Sequence, residues 1–177
     1  MIKDFETLPE LPSIMGPAKQ IAYVVDDIDA AMKQWHDTHG VGPFLINRNA
    51  VPINGAYYRG NKAQRTTVHI AFAYIGDMQL ELIELIGDTP GLYKEARDRQ
   101  HQGVHHYAVC VDDFPAAYNW ALDNGFDAVI DAGVDGLARM SYVENRETGL
   151  ILEIIEWNPL TRPIFDGLEK RVRSADS

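Results

Sequence analysis

Gly103-Val104-His105-His106-Tyr107-Ala108-Val109-Cys110-Val111-Asp112-Asp113 reads as a buried strand, dense in β-branched and aromatic residues, that runs into a helix cap at Asp112-Asp113. Two histidines at the head of an apolar strand need something to hold. The chain has written the same stretch once before. In Gln20-Ile21-Ala22-Tyr23-Val24-Val25-Asp26-Asp27, Gln20 stands where His106 does and Ala22 where Ala108 does. Val25-Asp26-Asp27 likewise matches Val111-Asp112-Asp113. An amphipathic helical pattern follows each copy, Ile28 to His39 and Phe114 to Asn124, and each pattern stops at a glycine, Gly40 or Gly125.

A repeat has to recur at a second place. Leu80-Glu81-Leu82-Ile83-Glu84-Leu85 returns as Leu152-Glu153-Ile154-Ile155-Glu156-Trp157, with apolar and acidic positions in the same order. Two independent segments matching in one order make the chain two tandem βαβββ-like modules. The interval from Gln20 to Glu81 is longer than that from His106 to Glu153, so the first module carries an insertion.

The expected class is α+β, one domain over residues 1–177. A first module over 18–86 and a second over 104–158 flank a linker helix within 87–103, and a tail helix follows over 159–177. Pro9, Pro12 and Pro17 make residues 1–17 an irregular arm. Asp26 or Asp27 caps the first helix, whose Ile28, Ala31, Met32 and Trp35 fall on one face and belong to the core. Gly40-Val41-Gly42-Pro43-Phe44 breaks that helix. Asn54-Gly55 is the best turn signal in the insertion. Thr66 to Tyr74 and Met78 to Ile86 form a hairpin about Gly76-Asp77, and Ala138 to Val143 with Leu150 to Trp157 form another. Thr89-Pro90 opens the linker helix, and Ile164 to Arg173 is the tail helix, with basic residues near its end.

Composition narrows the function classes. A hydrophobic fraction of 46% in 177 residues supports a globular core. A net charge of −10 opposes broad attraction to nucleic acid or an anionic membrane. No apolar run is long enough to span a bilayer, and Met1 to Glu6 lacks the apolar centre of a signal peptide. The single Cys110 sits mid-strand as a buried thiol. The expected compartment is a reducing cytoplasm.

Strand alternation puts Glu81 on the face of Ile83 and Leu85, and Glu153 on the face of Ile151 and Ile155. A carboxylate on a buried face costs several kcal/mol unless it is paired or binds a metal. Neither strand holds a Lys or Arg. Glu84 and Glu156 lie on the opposite faces and are expected to be solvated or hydrogen-bonded. His105 and His106 should face opposite ways, and the repeat selects His106, which aligns with Gln20. His105 aligns with Lys19, which is no ligand. His69 should pair with Glu84, away from this set, as a structural residue. Gln20, Glu81, His106 and Glu153 then make a ligand set of oxygens and one imidazole, suited to zinc, nickel, cobalt or manganese with positions left for water or substrate.

At these residues the chain resembles the vicinal oxygen chelate superfamily, which includes glyoxalase I, methylmalonyl-CoA epimerase and extradiol dioxygenases. The resemblance covers about residues 18 to 158. The stretch from Gly103 to Val109 with Val111-Asp112-Asp113 looks like the epimerase version, as does Leu80-Glu81-Leu82-Ile83-Glu84. The set Gln20, Glu81, His106, Glu153 is similar to the Gln-Glu-His-Glu pattern of one glyoxalase I type; epimerases usually carry histidine at the position of Gln20. The resemblance implies a curved eight-stranded mixed sheet around a metal cup, in a homodimer. Val24 stands where glyoxalase I has a glutathione-anchoring arginine and Leu85 where it has an asparagine, which points away from glutathione.

The implied activity is a metal-dependent lyase or isomerase that moves a proton next to a carbonyl through an enediolate, with Glu153 or the Glu81/Glu153 pair as base. Two carboxylates exceed what holding a metal requires. An iron dioxygenase would need a second histidine where Gln20 stands. A metal-free binding protein has no use for two carboxylates and a histidine on apolar strands. From Thr38 to Gly76 there is no Asp or Glu, while Arg48, Arg59, Lys62 and Arg65 interleave with Phe44, Tyr57 and Tyr58. We expect Arg59, Arg65 and Tyr58 to border the cup and to grip an anionic part of a small-molecule substrate.

Overall fold

The computed structural model describes residues 14–51, 57–99, 103–134 and 138–175. Pro9, Pro12 and the Asn54-Gly55 turn lie outside them. The first module supplies β1 (Ala18–Val25), α1 (Ile28–His39), β2 (Leu45–Ala50), β3 (Tyr57–Tyr58), β4 (Asn61–Lys62), β5 (Thr67–Ile75) and β6 (Met78–Ile86). After α2 (Leu92–Asp98) come β7 (His106–Val111), α3 (Phe114–Asp123), β8 (Phe126–Val134), β9 (Ala138–Asn145), β10 (Ile151–Glu156) and α4 (Arg162–Ala175).

The helices start and stop where local chemistry requires. Asp27 and Asp113 each accept a hydrogen bond from the backbone three residues on, at Ala30 and Ala116, satisfying first-turn N–H groups that have no helical partner. Gly40 closes α1 in the left-handed region, φ 64°, where a side chain would be strained. The linker helix departs from expectation. It starts at Leu92 with Gly91 as cap and no side-chain capping bond, so Thr89 and Pro90 lie ahead of it. The tail helix starts at Arg162, which places Pro163 in its first turn, where a missing N–H costs nothing.

The sheet is mixed and open, in the order β2-β5-β6-β1-β7-β10-β9-β8-β3-β4. Each module contributes four strands in the same spatial sequence. The first strands, β1 and β7, meet antiparallel at the centre, and each runs parallel to its module's last strand, β6 or β10. The expected eight strands are therefore present, and two more join them. The insertion's short hairpin β3–β4 leaves its own module and pairs with β8, Tyr57 opposite Asp131 and Tyr58 opposite Ile130.

The outer face is covered by helices. Ile28 of α1 packs with Val41, Ala71, Ala73, Leu80 and Leu82. Phe114, Ala117 and Ala121 of α3 pack with Val109, Val111, Val143 and Ile154. Burial of each of the larger side chains among them, such as Ile28, Leu80, Leu82, Phe114 and Ile154, contributes about 1.5–3 kcal/mol. The inner face is closed by α2, whose Tyr93 packs with Ala22, Val68, Ile70, Ile83 and Leu85, and whose Leu92 packs with Val129, Ile130 and Tyr142.

Candidate metal centre

Strand register fixes where the four candidate ligands stand. Glu81, Ala22 and His106 lie side by side across β6, β1 and β7. Two residues along, the next row on the same face holds Gln79, Gln20, Ala108 and Glu153. Gln20, Glu81, His106 and Glu153 thus share the inner face at diagonal positions of adjacent rows. Each module gives one candidate ligand from its first strand and one from its last. Between them sit Ala22 and Ala108, whose methyl side chains keep the floor of the site low.

All four are buried, with exposures of 4% for Gln20, 8% for Glu81, 0% for His106 and 5% for Glu153. Nε2 of His106 stands 3.4 Å from an oxygen of each carboxylate. Burial disfavours the charged imidazole, yet the adjacent Glu153 and Glu81 carboxylates outweigh it and hold the His106 pKa at about 9. Burial raises the Glu81 carboxyl, with His106 opposing. The imidazolium is the positive charge that two buried carboxylates demand. Among the described residues no three His, Cys, Asp or Glu side chains already converge at metal-holding geometry; both acids lean onto His106 instead.

Oε1 of Gln20 is buried without a hydrogen-bond partner, a costly condition, and Nε2 of His106 makes no aligned hydrogen bond, only its 3.4 Å ion-pair contacts with Glu81 and Glu153. Gln20 donates its Nε2 to Oε1 of Gln79 at 2.7 Å, and Gln79 donates in turn to the Tyr74 hydroxyl at 2.9 Å. The amide nitrogen is thereby held, and the carbonyl oxygen is left as a lone acceptor. One amide oxygen, one imidazole nitrogen and two carboxylates fit a divalent zinc, nickel, cobalt or manganese ion, with the two acids balancing its charge.

The other residues singled out from sequence divide into groups. His105 does not face away. It precedes β7, so strand alternation does not govern it, and its Nδ1 lies 2.8 Å from Nδ1 of His106. His69 lies opposite Glu84 and accepts a bond from the Asn49 backbone. Glu84 accepts from the Ile28 N–H, and Glu156 from Arg139. Cys110 is partly buried, and desolvation pushes its thiol up to about 12, which keeps it inert.

The basic insertion is split up by the fold. Arg48 pairs with Asp29 of α1, and Phe44 packs into the outer core under that helix. Arg59 bridges Glu95 of α2 at 3.1 Å and Glu144 of β9 at 3.0 Å. The Tyr58 hydroxyl donates to Glu95 as well. Burial pushes the Glu95 carboxyl up, but the bonds from Arg59 and Tyr58 hold it below its ordinary value. Arg59 and Gly60 occupy the turn with φ 45° and 77°, the signature of a two-residue hairpin. Arg65 is exposed and makes no ion pair among the described residues.

Sequence reasoning missed Gln79, Tyr93 and Tyr142. Gln79 was legible as the strand neighbour two before Glu81, on the same face. Tyr142 faces Glu153 across the β9–β10 ladder and sets its ring edge-on to His106, centroids 5.1 Å apart. Tyr93 comes from the linker helix, and no local pattern announces it. A groove of about 710 Å³ along the end of β1 and α1, lined by Tyr23, Trp35, His39 and Arg97, is separate from these residues.

Residues 19–143 match the family described as the Glyoxalase/Bleomycin resistance protein/Dioxygenase superfamily. The chain belongs to this superfamily. No curated protein matches this superfamily member in sequence. Among solved structures, the Mycobacterium tuberculosis methylmalonyl-CoA epimerase is similar, with a TM-score of 0.61 at 17% identity, covering 87% of this chain and 96% of that one. A Streptomyces coelicolor methylmalonyl-CoA epimerase variant in complex with 2-nitronate-propionyl-CoA gives 0.58 at 18%, covering 81% and 95%. A mutant 4-hydroxymandelate synthase from Streptomyces coelicolor gives 0.51 at 16%, covering 84% of this chain and 52% of that one. At these identities the likeness is one of fold. No helix among the described residues is long and apolar enough to cross a membrane.

Proposed function

We propose that this superfamily member is a metal-dependent isomerase or lyase that moves a proton on a carbon next to a carbonyl. The observation that carries the reading is the clustering of Gln20, Glu81, His106 and Glu153 on one buried face, with the Gln20 amide oxygen left without a hydrogen-bond partner. A divalent ion held by these four residues supplies Lewis-acid polarisation of the carbonyl and positive charge beside the developing enediolate. Glu153 takes the proton from the carbon, whose C–H electron pair becomes the C=C bond of the enediolate while the carbonyl oxygen gains charge. Return of the proton to that carbon from the other side, or to its neighbour, gives the epimer or the isomer, and no atom is lost. Glu81 shares the role, since burial raises its affinity for a proton.

Ala22 and Ala108 present only methyl groups between the candidate ligands, and Tyr93 of α2 packs with Ala22 on that face. Tyr58 and Arg59 of the β3–β4 hairpin, exchanging their Glu95 and Glu144 partners, and Arg65 beyond it would take an anionic portion of the substrate, such as a carboxylate or a CoA ester. The likeness to an epimerase holding a CoA ester analogue supports that class. The working form is a cytoplasmic homodimer, for which sedimentation at low concentration is the check.

The test is solvent deuterium exchange. The metal-loaded protein, incubated in D2O with methylmalonyl-CoA and with a small panel of 2-oxo and 2-hydroxy carbonyl acids, should wash deuterium into one of them next to the carbonyl. Glu153→Gln should retain metal and lose the exchange. Exchange at the wild-type rate in that variant would remove Glu153 as base, and oxygen consumption with a catechol in place of any exchange would turn the reading to ring cleavage.

A further inference from the structure

We infer that the hydroxyls of Tyr93 and Tyr142 form a paired donor that receives the second, charge-bearing oxygen of the substrate. The inference rests on the proton-transfer reading above and names a part of the site which that reading leaves without a holder.

The placement comes from two separate elements. Tyr142 is directly opposite Glu153 on the neighbouring strand, so it stands in the same row and on the same face as Gln20 and Glu153. Tyr93 reaches that place from the second residue of α2, with its ring 5.6 Å from His105. Both residues are buried. Their oxygens lie 3.4 Å apart and make no other hydrogen bond among the described residues.

Proton counting gives the chemistry. Two phenols carry two O–H protons, and their mutual contact uses one. Among the described residues neither hydroxyl bonds to Glu81 or Glu153, so one donor remains unspent beside the candidate ligands. A phenol ordinarily titrates at about 10, well above neutral pH, so these O–H groups serve as donors and not as bases. Once the two carboxylates are balanced by a divalent ion, the charge that appears during proton transfer is that of the substrate's own oxygens. A neutral, buried pair of O–H groups suits such an oxygen, because a hydrogen bond to a charged acceptor is stronger than one between neutral groups.

The test uses oxalate, a flat dianion with two adjacent oxygens, on the cobalt-loaded protein. Wild type, Tyr142→Phe, Tyr93→Phe and the double variant are compared for cobalt affinity, visible spectrum, and oxalate and azide affinity. Azide is too short to touch both the metal and the phenols. Cobalt affinity, spectrum and azide affinity should stay at wild-type values, while oxalate binding weakens about ten-fold or more in Tyr142→Phe and further in the double variant. Oxalate affinity unchanged in a folded double variant that keeps its cobalt spectrum overturns the tyrosine pair and leaves the metal centre standing. Equal weakening of azide and oxalate also overturns it, since the phenols would then only shape the metal site. A wild-type protein that takes up no cobalt overturns the metal centre itself, and the inference with it.

Discussion

Replacing Gln79 by leucine removes the acceptor that holds the Gln20 amide, while nearly conserving volume on the inner face. Gln20 Nε2 gives up a 2.7 Å bond in a residue that is 4% exposed, so water cannot replace it. An unmet buried donor costs about 1–3 kcal/mol. In a chain of this size that lowers Tm by about 2–4 °C per kcal/mol. The larger effect falls on the metal. With its nitrogen free, the Gln20 amide rotates away from presenting Oε1, and loss of such an orienting partner weakens metal binding about 10–100-fold. Gln79→Glu keeps an acceptor at the same place and should recover most of the loss. The assay is competition for zinc against a chromogenic chelator at neutral pH, beside thermal unfolding of the metal-free forms. If Gln79→Leu unfolds earlier but binds zinc as wild type does, Gln20 is not a ligand and the hydrogen-bond chain from Tyr74 is only structural.

Three further outcomes follow from the same geometry. A folded-state His106 pKa of about 9 against 6.5 means stability that is fully present below pH 6.5 and lost as pH rises through about 9, worth on the order of 3 kcal/mol; metal-free wild type should lose Tm across that window relative to His106→Gln, and a flat difference would contradict the assignment. Ala108→Leu should fill the space between Gln20 and Glu153 and abolish metal uptake in a chain that circular dichroism shows to be folded; uptake at the wild-type level would mean that the floor is not where the register puts it. Arg59→Gln should cost under about 1 kcal/mol in urea unfolding, because the arginine side chain is 39% exposed and its two ion pairs are screened, yet it should raise KM for an acidic substrate over its uncharged ester; an equal effect on both would make the hairpin scaffold alone.

The fold was readable because the chain states it twice. Period-2 alternation in Leu80-Glu81-Leu82-Ile83 and its copy fixed the faces, and aspartate caps with terminal glycines fixed the helices. Two features escaped because they belong to no local pattern. The β3–β4 hairpin pairs with β8 of the other module through backbone bonds that two-residue strands do not advertise. Tyr93 enters the site from the linker helix, where its spacing marks it only as apolar. His105 was misread because alternation was extended one residue beyond the strand, and at that point the backbone no longer turns side chains to opposite sides. The basic run behaved as a set of separate charges: the fold carries Arg48 to α1 and Arg59 to the rim of the inner face.

Gln20, Glu81, His106 and Glu153, two from each repeated module, are proposed to hold one divalent ion. Elemental analysis of the purified protein after exposure to zinc and gel filtration tests it most directly, with His106→Ala and His105→Ala run alongside. The account predicts one ion per chain in wild type, a retained ion in His105→Ala and none in His106→Ala. A wild-type chain free of metal, or an ion kept by His106→Ala and lost from His105→Ala, would contradict it.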